Sequence, residues 1–200
     1  MSVIDLVPSV AGASSACGTK IPLPQLLAII EVECGGVGFH ADTGKIIIQF
    51  EPHLFARYTG LTRDSTNKYM WDENKVDIQA REWPAFNEAF HLNANAAMEA
   101  TSLGLPQILG THWKRLGYSS VGAMWDSFKA SEGHQIMGLI KFIETDKALF
   151  SAVLNLDWGT VASRYNGSKY KELAAKLGRE PYNVTLERAY DKYNMLYGVK

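Results

Sequence analysis

Residues 24–49 read PQLLAIIEVECGGVGFHADTGKIIIQ, and the order of elements in this stretch decides the fold. The first half is a short apolar helix. Leu23, Leu26, Leu27 and Ile30 recur at i, i+3, i+4 and i+7, which is one face of a 3.6-residue period. Pro22 and Pro24 suit its entry, where a missing N–H leaves nothing unpaired, and Gly35 and Gly36 suit its end. Glu31 and Glu33 fall in the last turn. At about 100° per residue Glu33 projects beside Leu26 and Ile30, on the margin of the buried stripe, and Glu31 projects further round. An acid there faces the negative end of the helix dipole, and partial burial disfavours its charge. Both effects raise the pKa, which is unfavourable for stability and favourable for a general acid near neutral pH. After the helix, Val37–Phe39 and Lys45–Phe50 flank the turn His40–Gly44, so a β-hairpin is expected. Asp42, nine positions after Glu33, sits in that turn, where an Asp beside Gly also has a purely conformational role.

A carboxyl on a helix end and another on the following hairpin can face each other across a cleft. Paired carboxyls across a sugar chain are the machinery of glycoside hydrolysis. Glu51 is a third carboxylate, directly after the strand and before a helix that runs through Pro52, His53, Leu54 and Phe55 to Gly60. From the residues alone it reads first as an N-cap.

The segments VECGGVGF (32–39) and IIIQFEPHLFARY (46–58) resemble the opening of the N-acetylmuramidase family of phage endolysins. Three later stretches follow in the family's order: ATSLGLPQILGTHWKRLGY (100–118), SEGHQIMGLIKFI (131–143) and LDWGTVASRYNG (156–167). The resemblance runs from about Leu23 to the C-terminus. It implies a lysozyme-like fold, a peptidoglycan substrate and Glu33 as catalytic acid. Glu51 and His53 correspond to recurrent family residues. The Ser102-x-Gly104-x-x-Gln107 element resembles a substrate-contacting segment of lysozymes and lytic transglycosylases, with Leu103 where a Trp is more usual. Tyr165 and Asn166 resemble cleft-lining residues that contact the glycan. Read without the family, Gln107 is a structural residue at a helix break, and Tyr165-Asn166-Gly167 is a helix stop.

The fold class expected is mainly α with a small β part (α+β): a lysozyme-like helical lobe plus a β-hairpin beside the active-site helix, with a cleft between them. Residues 1–22 are expected as an N-terminal arm, with Pro8 stopping a short first element and Ala11–Thr19 in a loop; residues 23–200 form one catalytic domain. Residues 61–80 are polar and irregular in expectation, carrying Tyr69 and Trp71. Helices are expected at 81–91, 94–101, 119–129, 132–144, 147–154, 158–165, 170–177 and 185–197, from apolar periodicity and cap residues such as Asn93 and Asp157.

A formal net charge of −1 argues against nucleic-acid binding by bulk attraction. No apolar run is long enough to span a bilayer, so stable membrane insertion is not expected. The N-terminus lacks a positive n-region and a long apolar core, so no secretory signal is expected. The protein is expected as a monomer that accumulates in the cytoplasm of the producing cell and acts on glycan strands of the wall after release. Two cysteines, Cys17 and Cys34, are too few for a disulfide framework, and a bridge between them is not indicated.

Four rival chemistries stand beside muramidase hydrolysis. A lytic transglycosylase needs only one Glu. A wall-peptide endopeptidase would use Cys34, but a helix C-terminus raises a thiol pKa instead of lowering it. A zinc amidase would need ligand spacing that His40, His53, His91, His112 and His134 do not show. A non-catalytic wall-binding module would make Glu33 dispensable. No metal and no cofactor is implied.

Overall fold

A computed structural model of the chain describes residues 2–34, 36–61 and 78–198. The expectations for Tyr69 and Trp71 fall outside the described residues, as does the Cys34 side chain. The chain divides into two compact units, Met1–Gly36 with Ile136–Lys200, and Val37–Gln135. The expected mainly helical architecture with a small β element is what forms: eleven α-helices and a three-stranded sheet among the described residues.

The first unit is built on helix α2 (Leu23–Cys34). Leu26, Leu27, Ala28, Ile29 and Ile30 are all fully buried, so the helix is covered over more than the single stripe the periodicity marks. Each large apolar side chain so buried contributes about 1.5–3 kcal/mol relative to exposure. Helix α11 (Tyr182–Tyr197) packs along α2 with Leu186, Ala189 and Tyr193 buried. The N-terminal segment differs from expectation. A 3-10 turn at Val3–Leu6 leads into helix α1 (Val7–Cys17), which packs on α2 and buries Val10 and Ala13. Pro8 lies in the first helical turn, where it breaks no hydrogen bond, so it starts this helix instead of stopping the chain. Gly36 follows α2 with φ of +84°, and a Cβ there would press on Val3, so only glycine fits. Cys17 is a free thiol, so no Cys17–Cys34 bridge forms.

Helices α8 (Lys147–Leu154) and α9 (Trp158–Asn166) pack together, with Asp146 and Asp157 as side-chain N-caps. Helix α10 (Tyr170–Lys176) links α9 to α11. Helix α7 (Glu132–Glu144) runs over the residues expected for it, and the division between units falls within it.

In the second unit, Phe39 bridges Ile46 and the His40 N–H bonds the Lys45 carbonyl at 2.8 Å, closing the expected turn. The hairpin is short. The apolar strand that leaves it, β1 (Ile48–Phe50), pairs with β2 (Thr101–Leu103), and β2 pairs with β3 (Ile108–Leu109), all antiparallel. Residues 101–103 were expected at a helix end; helix α5 (Ala94–Glu99) stops before them, capped by Asn93. Helix α4 (Gln79–Leu92) covers the other side of β1. Gln79 bonds both the N–H and the carbonyl of Ile48, at 3.0 and 2.8 Å, and buried Glu82 accepts from the Phe50 N–H at 2.8 Å. These side chains satisfy strand groups that would otherwise be an open edge.

The β2–β3 turn is pinned from below by Gln135, which is fully buried. Its Oε1 accepts from the Leu105 N–H at 2.7 Å, and its Nε2 donates to the Phe128 carbonyl at 2.9 Å, near the end of helix α6 (Val121–Ala130). Gly104 has φ of +60°, and a Cβ there would collide with the same carboxamide.

Candidate active site

Glu33 stands one residue before the end of α2. It is half-buried, and its Oε1 is buried with no hydrogen-bond partner. Burial pushes its carboxyl up from 4.5 to about 8. At neutral pH the group is therefore mostly protonated and can donate. Glu31, two residues earlier, has the opposite environment. It accepts from Lys192 Nζ at 2.6 Å and from the Tyr193 hydroxyl. Burial pushes it up, but these hydrogen bonds and the Lys192 charge outweigh that and hold it below the usual carboxylate range. Of the two acids at this helix end, only Glu33 is kept neutral.

Glu51 and His53 lie in the second unit, at the start of helix α3 (Pro52–Thr59). Glu51 occupies the N-cap position, yet its side chain does not cap. Its Oε1 accepts from Gln49 Nε2 at 3.1 Å, and its Oε2 lies 3.4 Å from His53 Nδ1. The carboxylate is 29% exposed and His53 is 72% exposed, so the acid is held and the imidazole is open to solvent. Ser102 stands opposite Gln49 in the middle of the β1–β2 register, and Gln49 in turn reaches Glu51, which lies beside His53. Gln49 was not anticipated. Its signal is the polar interruption of an otherwise apolar strand, Ile46-Ile47-Ile48-Gln49-Phe50.

Asp42 is exposed in the turn and makes no hydrogen bond or ion pair among the described residues. Gln107 has φ of +47° and donates its Nε2 to the Gly104 carbonyl at 2.7 Å. Part of its role is thus structural, in a strand turn and not a helix break, while its Oε1 remains as an acceptor. Tyr165 meets Phe142 edge-on, with ring centroids 5.5 Å apart. Asn166 is exposed at the end of α9 and, with Val32 of α2, lines a cavity in the first unit. Among the described residues, no group of three or more His, Cys, Asp or Glu is placed to hold a metal ion.

A family model described as N-acetylmuramidase matches residues 22–194. The chain belongs to the N-acetylmuramidase family. It is also similar to the Burkholderia AP3 phage endolysin: that crystal structure aligns with a TM-score of 0.76 at 31% identity, over 95% of this chain and 70% of that one. None of the curated proteins matches the chain. Family membership and the solved relative together support a peptidoglycan hydrolase, a glycoside hydrolase by class. No helix among the described residues is long and apolar enough to cross a membrane.

Proposed function

We propose that this chain is a muramidase that hydrolyses the β-1,4 bond between N-acetylmuramic acid and N-acetylglucosamine, with Glu33 as the general acid. The observation that carries this reading is the state of Glu33: a carboxyl with one oxygen buried and unpartnered, held protonated to about pH 8. A carboxyl kept neutral in that way donates its proton to the glycosidic oxygen as the bond to the anomeric carbon lengthens. The proton leaves with the departing hydroxyl, a water adds to the anomeric carbon and returns a proton to the carboxylates, and a second carboxylate either activates that water or stabilises the developing oxocarbenium charge. Glu51 suits that role better than Asp42, because hydrogen bonding from Gln49 fixes its carboxylate, whereas Asp42 hangs unrestrained from a turn. His53, Ser102, Gln107, Tyr165 and Asn166 are proposed as substrate contacts. In an endolysin role the protein would accumulate in the producing cell's cytoplasm and meet the wall only after release.

The test is mass spectrometry of products released from purified peptidoglycan by the wild type and by Glu33→Gln. Reducing muramic-acid ends, absent with the variant, are expected. Anhydro-muramic ends would instead mean a lytic transglycosylase on the same acid. Free stem peptides from intact glycan would reject glycosidase chemistry.

A further inference from the structure

The first unit contains a cavity of about 530 Å³ whose walls come from α9, α10, the loop after it, α11 and the single residue Val32 of α2. Its chemistry is mixed in a specific way. Leu173 and Leu177 give it an apolar wall, and both are more than half exposed (55% and 52%), an unusual state for leucines in a concave site. Two arginines line it. Arg188 is already engaged, donating to both oxygens of Glu180, so that pair is neutral overall. Arg179 has no side-chain hydrogen bond or ion pair among the described residues. It sits in the loop between α10 and α11, tied down only through its backbone N–H to the Ala174 carbonyl at 2.9 Å. Tyr182 also lines the cavity, and its hydroxyl is buried with no partner. The cavity is therefore lined by one cation without a side-chain partner among the described residues and by an exposed apolar wall, while the Tyr182 hydroxyl lies buried beneath its surface. A ligand that completes it brings a carboxylate for Arg179 and small apolar groups for the leucines.

We propose that this cavity binds the peptide stem of peptidoglycan. The inference rests on the reading of the wall polymer as substrate. The stem is a short peptide that mixes alanine methyls with free carboxylates, and it hangs from muramic acid, the sugar at which the proposed cut is made. Val32 is the chain neighbour of Glu33, and Asn166, a proposed glycan contact, lies on the same cavity. In peptide-bearing wall the lactyl carboxyl of muramic acid is taken up in the amide to the stem, so the free carboxylates there are the stem's; a strand stripped of its peptides exposes lactyl carboxylates and methyls instead, and the wall assay below compares the two. Arg179 acts in this reading as a specificity-determining residue that pairs with a stem carboxylate.

The experiment titrates the full chain with a synthetic stem tetrapeptide bearing free carboxylates and with the same peptide fully amidated, by calorimetry or by NMR. The wild type is expected to prefer the carboxylate form by about five- to tenfold, the scale of one charge-assisted Arg–carboxylate contact at a partly open site. Arg179→Ala is expected to erase that preference while leaving the amidated peptide's affinity near its wild-type value. Equal affinity of the wild type for the two peptides, or a preference that survives in Arg179→Ala, overturns the proposal. The amidated ligand probes the charge without any substitution, so the answer does not depend on how the variant folds. Neither titration requires a glycosidic bond to be cut, so failure of the muramidase chemistry would show in the product masses and not here. On walls, Arg179→Ala should lose more kcat/KM on peptide-bearing material than on glycan stripped of its peptides; equal losses would make Arg179 a glycan contact and reject the peptide assignment.

Discussion

Glu33→Gln should make the protein more stable and inactive at once, and the gain should depend on pH in a way that identifies the cause. The carboxyl is raised from 4.5 to about 8 in the folded chain. Between those values the folded state holds a proton that the unfolded state has released. Stability therefore falls as pH rises through that window and is flat on either side. At pH 7 the gap from the unfolded value is 2.5 units, which at 1.36 kcal/mol per unit is about 3 kcal/mol, and about 2–3 kcal/mol once residual water access to a half-buried side chain is allowed for. Glutamine matches the neutral acid in shape and cannot ionise, so the variant escapes this loss. For a chain of 200 residues the melting temperature should rise by about 4–12 °C at pH 7. Near pH 4 the two proteins should melt together. Calorimetric scans from pH 4 to 9 measure the difference, and muropeptide release measures the activity, which should drop by about 10²-fold or more. Parallel melting curves with no divergence above pH 5 would refute a buried neutral acid at this position. Retained lysis would refute its catalytic role.

Three further outcomes follow from neighbouring contacts. Glu31→Gln should lower stability by about 1 kcal/mol at pH 7 through loss of the charged bonds from Lys192 and Tyr193, while lysis persists; a collapse of activity would move the acid from Glu33 to Glu31. Gln135→Leu should strand the Leu105 N–H and the Phe128 carbonyl in the interior and cost about 2–4 kcal/mol, seen as a fall in melting temperature of about 5–15 °C. Among the second carboxylates, Glu51→Gln should reduce kcat strongly and Asp42→Asn far less, measured as initial rates on purified walls; the reverse order would assign the role to the hairpin turn.

Local signals in the sequence carried much of this architecture, and the failures share one origin. Helices α7 and α8 run over the residues their apolar period marks, because their faces and caps lie within the segment itself. Pro8 misled because a proline reads as a stop or as a start depending on where the helix begins, and that beginning is set by packing of Val10 and Ala13 on α2. Strand β2 was unreadable for a related reason. Thr101-Ser102-Leu103 becomes a strand only because β1, far away in the chain, offers it a ladder. Gln135, Gln79 and Glu82 look like ordinary polar positions on helices. Their work is done on backbone groups of distant segments, at Leu105, Ile48 and Phe50, which no periodicity encodes.

The pair Glu31 and Glu33 shows how much a two-residue offset on one helix can decide. Both are glutamates in the last turn of α2, and the helix dipole disfavours charge on each. Two residues rotate a side chain by about 200°, so one faces Lys192 and Tyr193 on α11 while the other turns away from any partner. The consequence is opposite linkage from the same residue type. Glu31 stabilises the fold when ionised, and that contribution fades as acid protonates it; Glu33 favours the fold when protonated, and that contribution fades as base ionises it. Single substitutions at the two positions should therefore bend the stability–pH curve in opposite directions and in different windows: the Glu31→Gln deficit opens as pH rises to the ordinary carboxylate value and is complete above it, whereas the Glu33→Gln gain opens only above that value. A double variant tests their independence: the two side chains share no hydrogen-bond partner, so their effects are expected to add. Strong non-additivity would mean that the Glu31 cluster sets the Glu33 pKa, and would make Lys192 and Tyr193 positioning residues for the acid.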